Sequence, residues 1–239
     1  MSAADRPDAP SGPEEEQRSR VDGLVETLLP LLDLVEASPV SLTSVRSGPD
    51  AIDVHLRDSL SGLSAAPLLE ADQVVDIGSG AGFPGLPLAL ALPEKPFTLV
   101  DSVARKADFM RSAADALGLE NVTVVAARSE ELAAGSGREA FQCVTARAVA
   151  PLSVLAELAS PLLTEGGTLI AWKGDRELEE EDALTRVGPR LAMMQTGRVE
   201  VVPFAGSRTR NLYLVTKTGP TPEGLPRRPG MARKRPMSA

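Results

Sequence analysis

The sequence predicts an α/β fold: a doubly wound seven-strand sheet, mostly parallel with one antiparallel strand, preceded by an N-terminal helical cap. Three observations predict it. From Val74 onward, short apolar runs alternate with segments of helical period, the signature of a parallel sheet covered on both faces. The first run empties into a glycine-rich turn that enters a helix. The last two runs follow one another with no clear helix between them, so they form a hairpin that supplies the antiparallel member. The 239 residues suffice for one large domain and a small appendage, and 43% hydrophobic with 24% charged residues is an ordinary globular balance.

Residues 1–17, rich in Pro, Ala, Asp and Glu, read as a disordered leader. From Arg18 to Glu36 the apolar positions Val21, Leu24, Val25, Leu28 and Leu32 recur at helical spacing, and Pro30 interrupts or bends that helix. A second helix over Pro49–Leu60 has proline in its first turn, where a missing N–H costs nothing. These helices make a cap over 18–66. In the core, over 67–218, strands are expected at Val74–Ile77, Phe97–Asp101, Val122–Ala126, Gln142–Ala146, Thr168–Lys173, Val199–Pro203 and Asn211–Thr216. Helices are expected at Leu86–Leu92, at Lys106–Leu117 (closed by Gly118) and at Pro151–Leu163, and the acidic stretch Asp175–Val187 reads as a solvent-facing helix. Residues 219–239 form a basic tail.

Composition removes several function classes. No apolar run reaches the ~18 residues needed to cross a bilayer, and the N-terminus lacks the basic-then-apolar order of a secretory signal, so a cytoplasmic location is expected. Cys143 is the sole cysteine, which excludes an internal disulfide and a cysteine-rich zinc site; His55 is the sole histidine, which excludes histidine metal clusters and a Ser–His relay. The net charge of −8 argues against nucleic acid, but it is unevenly spread. From Pro203 onward eight Lys and Arg face one acid, a surplus of +7 that leaves −15 on the first 202 residues. Such a tail either meets phosphate or frays into solvent.

The sharpest local signal runs from Val74 through Asp76, Gly78, Gly80, Gly82 and Phe83 to Gly85. Glycines there let the backbone approach a ligand and adopt positive φ. A dinucleotide site is one reading. Against it, Asp76 precedes the first glycine by two residues and Pro84 alters the helix start. The pattern resembles the first motif of class I methyltransferases, which implies a Rossmann-like core and S-adenosylmethionine as cofactor. In that family a second acid at the tip of the next strand binds the ribose hydroxyls. Asp101 stands there, with a helix N-cap as its alternative role.

The branch that methylates exocyclic amines uses an Asn/Asp-Pro-Pro-aromatic loop after strand four, where this chain has Thr145 to Pro151. The pyrimidine C5 branch needs a cysteine nucleophile, and Cys143 falls inside a predicted strand. An ordered series then resembles the RsmG (GidB) family: Leu42-Thr43-Ser44-Val45, His55 with Asp58-Ser59, the glycine loop, Thr98 to Ser102 with Lys106 and Phe109, Arg128 to Glu131, Ala146-Arg147-Ala148, Lys173-Gly174, Arg210-Asn211-Leu212 and the tail PRRPGMARKRP. The resemblance covers the chain from about Ser41 onward. It departs at Pro39 to Ser41 and at Val54, where the family has Trp-Asn and Arg. It implies methylation of guanine N7 in the decoding-region loop of 16S ribosomal RNA. Gly78 and Phe83 would line the methionine and sugar side of the cofactor, with Gly80 and Gly82 completing the loop. Ser129 and Glu130 would meet adenine, and Arg147 would sit where cofactor and base meet.

Guanine N7 is a lone-pair nucleophile with no proton to lose, so transfer needs alignment and no general base. A chain with one histidine and no acid–base dyad suits that chemistry. Arg147 is then the expected catalytic residue, donating to guanine O6 or to phosphate. Lys173 and Arg210 read as RNA contacts or as surface charge; Arg227, Arg228, Arg233, Lys234 and Arg235 would add salt-sensitive affinity. His55 is either an RNA contact or a satisfied helix histidine, Asp58 pairs with Arg57 or caps locally, and Trp172 belongs to the core. The expected partner is small-subunit ribosomal RNA or the 30S subunit, engaged by a monomer without metal or membrane. A small-molecule methyltransferase, a non-catalytic ribosome-binding module and an NAD-dependent dehydrogenase remain as rival readings.

Overall fold

The computed structural model describes residues 13–40, 42, 43, 45 and 47–237. Residues 1–12 of the expected leader, Ser41, and Ser44 of the Leu42–Val45 stretch lie outside the described residues. The first helix, α1 (Pro13–Ala37), begins before Arg18 and continues through Pro30. Pro30 and Glu26, the residue whose carbonyl loses its donor, both lie on the exposed side, where water replaces the missing bond. The second helical run is composite: α2 (Pro49–Ala51), a π-helical stretch over Ile52–Arg57, and α3 (Asp58–Leu60), followed by a 3-10 turn at Ser61–Ser64 and α4 (Ala66–Glu70). Pro49 occupies its first turn as expected. The π-helical widening carries His55, and such widenings gather at functional sites.

The core has seven strands: β1 (Val74–Ile77), β2 (Phe97–Val100), β3 (Val122–Val125), β4 (Phe141–Arg147), β5 (Leu163–Lys173), β6 (Met193–Val201) and β7 (Arg210–Lys217). Their order is β3-β2-β1-β4-β5-β7-β6, and β7 runs antiparallel to both its neighbours. Val74 pairs with Phe97 on one side and Cys143 on the other, which registers the tips of β1, β2 and β4 at one edge. Helices α5 (Gly85–Ala91), α6 (Ala104–Ala116), α7 (Ser129–Ala133), α8 (Leu152–Ala159), α9 (Leu178–Leu191) and the short α10 (Met231–Lys234) complete the chain. Gly118 ends α6 at φ 65° as expected.

Short valine- and leucine-rich strands buried on both faces explain the near-continuous apolar runs. Val74, Phe97, Leu99 and Cys143 join the cap helices, α5 and α6 in one core; Val75, Ile77, Val144 and Leu169 join α8 and α9 in the other. Three expectations are corrected. Helix α8 ends at Ala159, and β5 begins at Leu163, with Gly166 at φ 81° inside the irregular pairing to β4. Helix α9 is not simply solvent-facing: Leu184, Val187, Gly188 and Leu191 are buried under its acidic face. The α7 turn was not expected at all.

The cap is seated on the sheet through Gly62 and Trp172. A Cβ on Gly62 would stand 2.5 Å from Trp172 Cζ2. Gly62→Ala stiffens the unfolded chain by about 0.4–1 kcal/mol, but the overpacking costs about 1–3 kcal/mol. The net expectation is a lower urea midpoint at unchanged slope; an unchanged or higher midpoint would mean that the cap does not rest on Trp172.

Candidate active site

In an open α/β sheet, ligands gather beyond the strand tips where strand order reverses, here between β1 and β4. Asp76, on β1, is fully buried; its Oδ1 accepts from the Thr145 hydroxyl of β4 at 2.7 Å, while Oδ2, beside Gly85, has no hydrogen-bond partner. Gly78, Gly80 and Gly82 all take positive φ (69°, 61° and 88°), a path closed to other residues at little cost. The loop is pinned to the next strand: Gly78 N–H donates to the Val100 carbonyl at 2.8 Å, and Gly80 N–H donates to Asp101 Oδ2 at 3.0 Å. The second Asp101 oxygen accepts from Val103 N–H at 2.9 Å, so Asp101 holds the loop and the start of α6 together.

A cavity of about 410 Å³ opens at these tips, within the size range of small-molecule sites. Gly78, Asp101, Lys106, Ser129, Glu130, Ala148, Val149, Gly230 and Arg233 are among its lining residues. Gly80, Gly82, Phe83, Asp76 and Arg147 are not. A second cavity, about 420 Å³, lies on the cap side and is lined by Thr43, Val54, His55, Asp58, Arg147, Ala148, Trp172, Lys173, Gly174 and Arg210. Both cavities share Ala148, the residue after β4, which sits at φ 56°. A left-handed alanine costs of order 1 kcal/mol and is a feature of functional turns.

Arg147 ends β4 and is held from the cap. Its Nη1 donates to Asp58 Oδ2 at 2.9 Å and to the Val54 carbonyl at 2.8 Å. The other Asp58 oxygen accepts from Arg210 Nε on β7 at 3.1 Å. Asp58 therefore serves two distant arginines, and Arg57 instead pairs with Asp22 and Asp53. Phe83, expected on the cofactor side, stacks on His55 with ring centroids 4.6 Å apart, and the Arg147 guanidinium carbon lies 5.5 Å from its centre.

The remaining expected RNA contacts divide. Lys173 lines the second cavity but is paired with Glu180 at 2.7 Å. Arg227 grips the buried Glu157 of α8 with two 2.6 Å bonds. Arg233 is on the first cavity, its Nη2 donating to the Val149 carbonyl at 2.8 Å. Arg228, Lys234 and Arg235 are exposed. Cys143 is buried within β4, and burial pushes its thiol up, away from nucleophilic use. Trp172 is buried as expected, yet it also borders the second cavity. Sequence reasoning missed Ala148, Glu157 and the double role of Asp58. The Asp58 partners are 89 and 152 residues away, so no local pattern announces them.

The chain is similar to known proteins in two ways. The family model described as GidB, rRNA small subunit methyltransferase G, matches residues 27–213. Ribosomal RNA small subunit methyltransferase G of Pelotomaculum thermopropionicum is 40% identical over 203 residues, covering 83% of each chain. The protein of the same description from Deinococcus radiodurans is 40% identical over 232 residues, 94% of this chain and 86% of that one. Among solved structures, cofactor-bound Rv0187 from MTB superposes with a TM-score of 0.57 at 17% identity, covering 88% of this chain and all (100%) of that one. An O-methyltransferase from Bacillus cereus in complex with SAH gives 0.56 at 16% identity, covering 80% of this chain and 91% of that one. These last likenesses identify the fold.

Two site groups titrate abnormally. Burial raises the Asp76 carboxyl from 3.8 to about 6, against the Thr145 bond and the Arg147 charge. At pH 7 the fold thus carries a buried carboxylate at a cost of roughly 3 kcal/mol; its stabilising share is full below 3.8 and lost as pH rises through about 6. His55 has the opposite sign. Burial lowers it, Arg147 lowers it further, and Val45 and Asp58 oppose. Its contribution is present above 6.5 and is lost as pH falls below that toward the depressed folded value. Nε2 contacts the Val45 carbonyl at 2.7 Å, so it carries the proton, leaving Nδ1 a buried, unpartnered acceptor. Because His55 is the only histidine, its ring signals in NMR need no assignment. A single titration with midpoint below 6.5 is expected, moved down by Asp58→Asn and up by Arg147→Met. A midpoint at or above 6.5 would contradict the buried, cation-facing ring.

Proposed function

Because the chain belongs to the rRNA small subunit methyltransferase G family, we propose that it methylates N7 of a guanine in the decoding-region loop of small-subunit ribosomal RNA. It is an S-adenosylmethionine-dependent enzyme. The observation that carries the reading is the pair of cavities joined at Ala148, one with Gly78, Asp101, Ser129 and Glu130 on its wall, the other bordered by Arg147, Lys173 and Arg210. A small cofactor suits the first and a nucleotide with its phosphate suits the second. A small-molecule acceptor would not call for three cations gathered on one cavity, two of them positioned by Asp58.

The first cavity fits the cofactor by its donor set. Asp101 spends one lone pair per oxygen on backbone amides and keeps the others for ribose hydroxyls. Ser129 and Glu130 border the place for adenine, and Gly78 leaves the backbone open beside the methionine portion. When bound, S-adenosylmethionine supplies an electrophilic methyl group. The protein's task is then alignment, since guanine N7 attacks through its lone pair without losing a proton. Arg147, with Nη1 fixed by Asp58 and Val54, keeps Nε and Nη2 as donors for guanine O6 or a phosphate oxygen. Being a planar fork held in place, it orients without acting as a nucleophile. Neutral His55, backed by Phe83, is a buried wall of the second cavity beside the place proposed for the base. The same reading puts the enzyme in the cytoplasm, where its RNA is, acting as a monomer.

The test is transfer of labelled methyl to 30S subunits and to naked small-subunit RNA from a strain lacking this gene, with mapping of the modified base. Label at N7 of one guanine is expected. Arg147→Lys should lower kcat by about tenfold or more while cofactor affinity stays within a few-fold, because lysine keeps charge but loses the fork. Cofactor binding with no labelling of either RNA form would overturn the proposal.

A further inference from the structure

The C-terminal tail folds back instead of projecting. Lys217, fully buried, donates to Glu139 Oε1 at 2.6 Å and to the Leu163 carbonyl at 2.7 Å. Arg138 Nη1 holds the Leu225 carbonyl at 3.0 Å, and Leu225 and Ala232 are buried in the α8–α9 core. Arg227 grips Glu157, whose side chain is only 4% exposed. Two further bonds reach the first cavity itself. Gly230 N–H donates to Glu130 Oε1 at 2.7 Å, and Arg233 donates to the Val149 carbonyl at 2.8 Å; all four residues line that cavity. The tail thus laces α7, α8 and the loop after β4 together, on cavity walls other than the glycine loop.

We propose that residues 225–235 are a strap that completes the cofactor pocket, so that bound cofactor and seated strap stabilise each other. The proposal rests on the first cavity being the cofactor site. Glu130 is the link: one oxygen holds the strap at Gly230 and the other accepts from the Ser129 hydroxyl at 3.2 Å, which fixes the carboxylate on the wall expected to meet adenine. Removing the strap frees Glu130, opens the pocket along Gly230 and Arg233, and leaves Glu157 a buried carboxylate without its cation. Linkage is reciprocal, so a ligand whose affinity depends on the strap must also hold the strap in place. The tail cations Arg227 and Arg233 then serve cofactor retention, not RNA phosphate.

The experiment is calorimetric titration of S-adenosylhomocysteine into the full chain, into Arg227→Ala and Glu157→Gln, which break the same clamp from either side, and into Asp101→Ala. Hydrogen exchange of residues 225–235 in the unaltered chain, with and without the ligand, accompanies it. A cofactor Kd raised about tenfold or more in both clamp variants, and slower strap exchange on binding, are expected. An unchanged Kd in folded clamp variants with unchanged strap exchange overturns the strap, while Asp101→Ala still losing affinity keeps the pocket. Asp101→Ala binding normally overturns both. Weakened RNA binding by Arg227→Ala at an unchanged cofactor Kd would return the tail to RNA and overturn the proposal.

Discussion

One residue of the cap, Asp58, ties three strands to it. Its carboxylate takes Arg147 from β4 and Arg210 from β7, and its carbonyl accepts the Trp172 indole N–H from β5 at 2.9 Å. Apolar contacts of α1 and the Gly62–Trp172 seat hold the rest of the cap on the core without setting the direction of its polar groups. Charge-assisted bonds to a carboxylate only 7% exposed set that direction. The second cavity exists because that docking leaves a gap between His55 and the strand tips. Its cations face the gap because the same carboxylate holds two of them in place.

The two cavities solve different electrostatic problems. The first cavity mixes Asp101 and Glu130 with Lys106, Arg128 and Arg233, while Asp76, buried nearby on β1, costs stability at neutral pH; a cost of that kind is characteristic of functional sites. The second cavity gathers Arg147, Lys173 and Arg210, and Asp58 opposes the burial that lowers the Arg147 pKa. Ala148 is the seam, and its left-handed backbone lets the chain turn between them without a side chain filling the passage. Attack through the N7 lone pair needs no proton acceptor, which agrees with a sole histidine whose pKa is lowered by burial.

The sheet was largely legible from the sequence because parallel strands buried on both faces leave apolar runs, and the glycine loop declares its own turn. Boundaries slipped where tertiary contacts decide them: α8 stops at Ala159, β5 begins already at Leu163 and β6 at Met193, and α9 buries a face that its acidic composition hides. Helix α7, at five residues, is too short to show a period. In the site, Asp76, Gly78 and Asp101 stand out because their local pattern resembles a known cofactor motif, and of these Gly78 and Asp101 line the first cavity. The partners of Asp58 and Glu157 could not be read this way, since each lies at least 70 residues away along the chain. Charge counting found the basic tail but not its direction: a sequence gives the sign of a side chain, and only packing says whether it meets solvent, RNA or the protein's own carboxylate.

Trp172 is the lone tryptophan, and it borders the second cavity with its indole nitrogen bonded to the cap through Asp58. The molecule therefore carries its own optical probe at the seam between cap and sheet. Excited at the red edge of protein absorption, all emission comes from one ring whose surroundings change when the cap lifts or a base stacks nearby. Motions of the substrate side can be followed in real time in the unlabelled, unaltered protein, without background from any second indole.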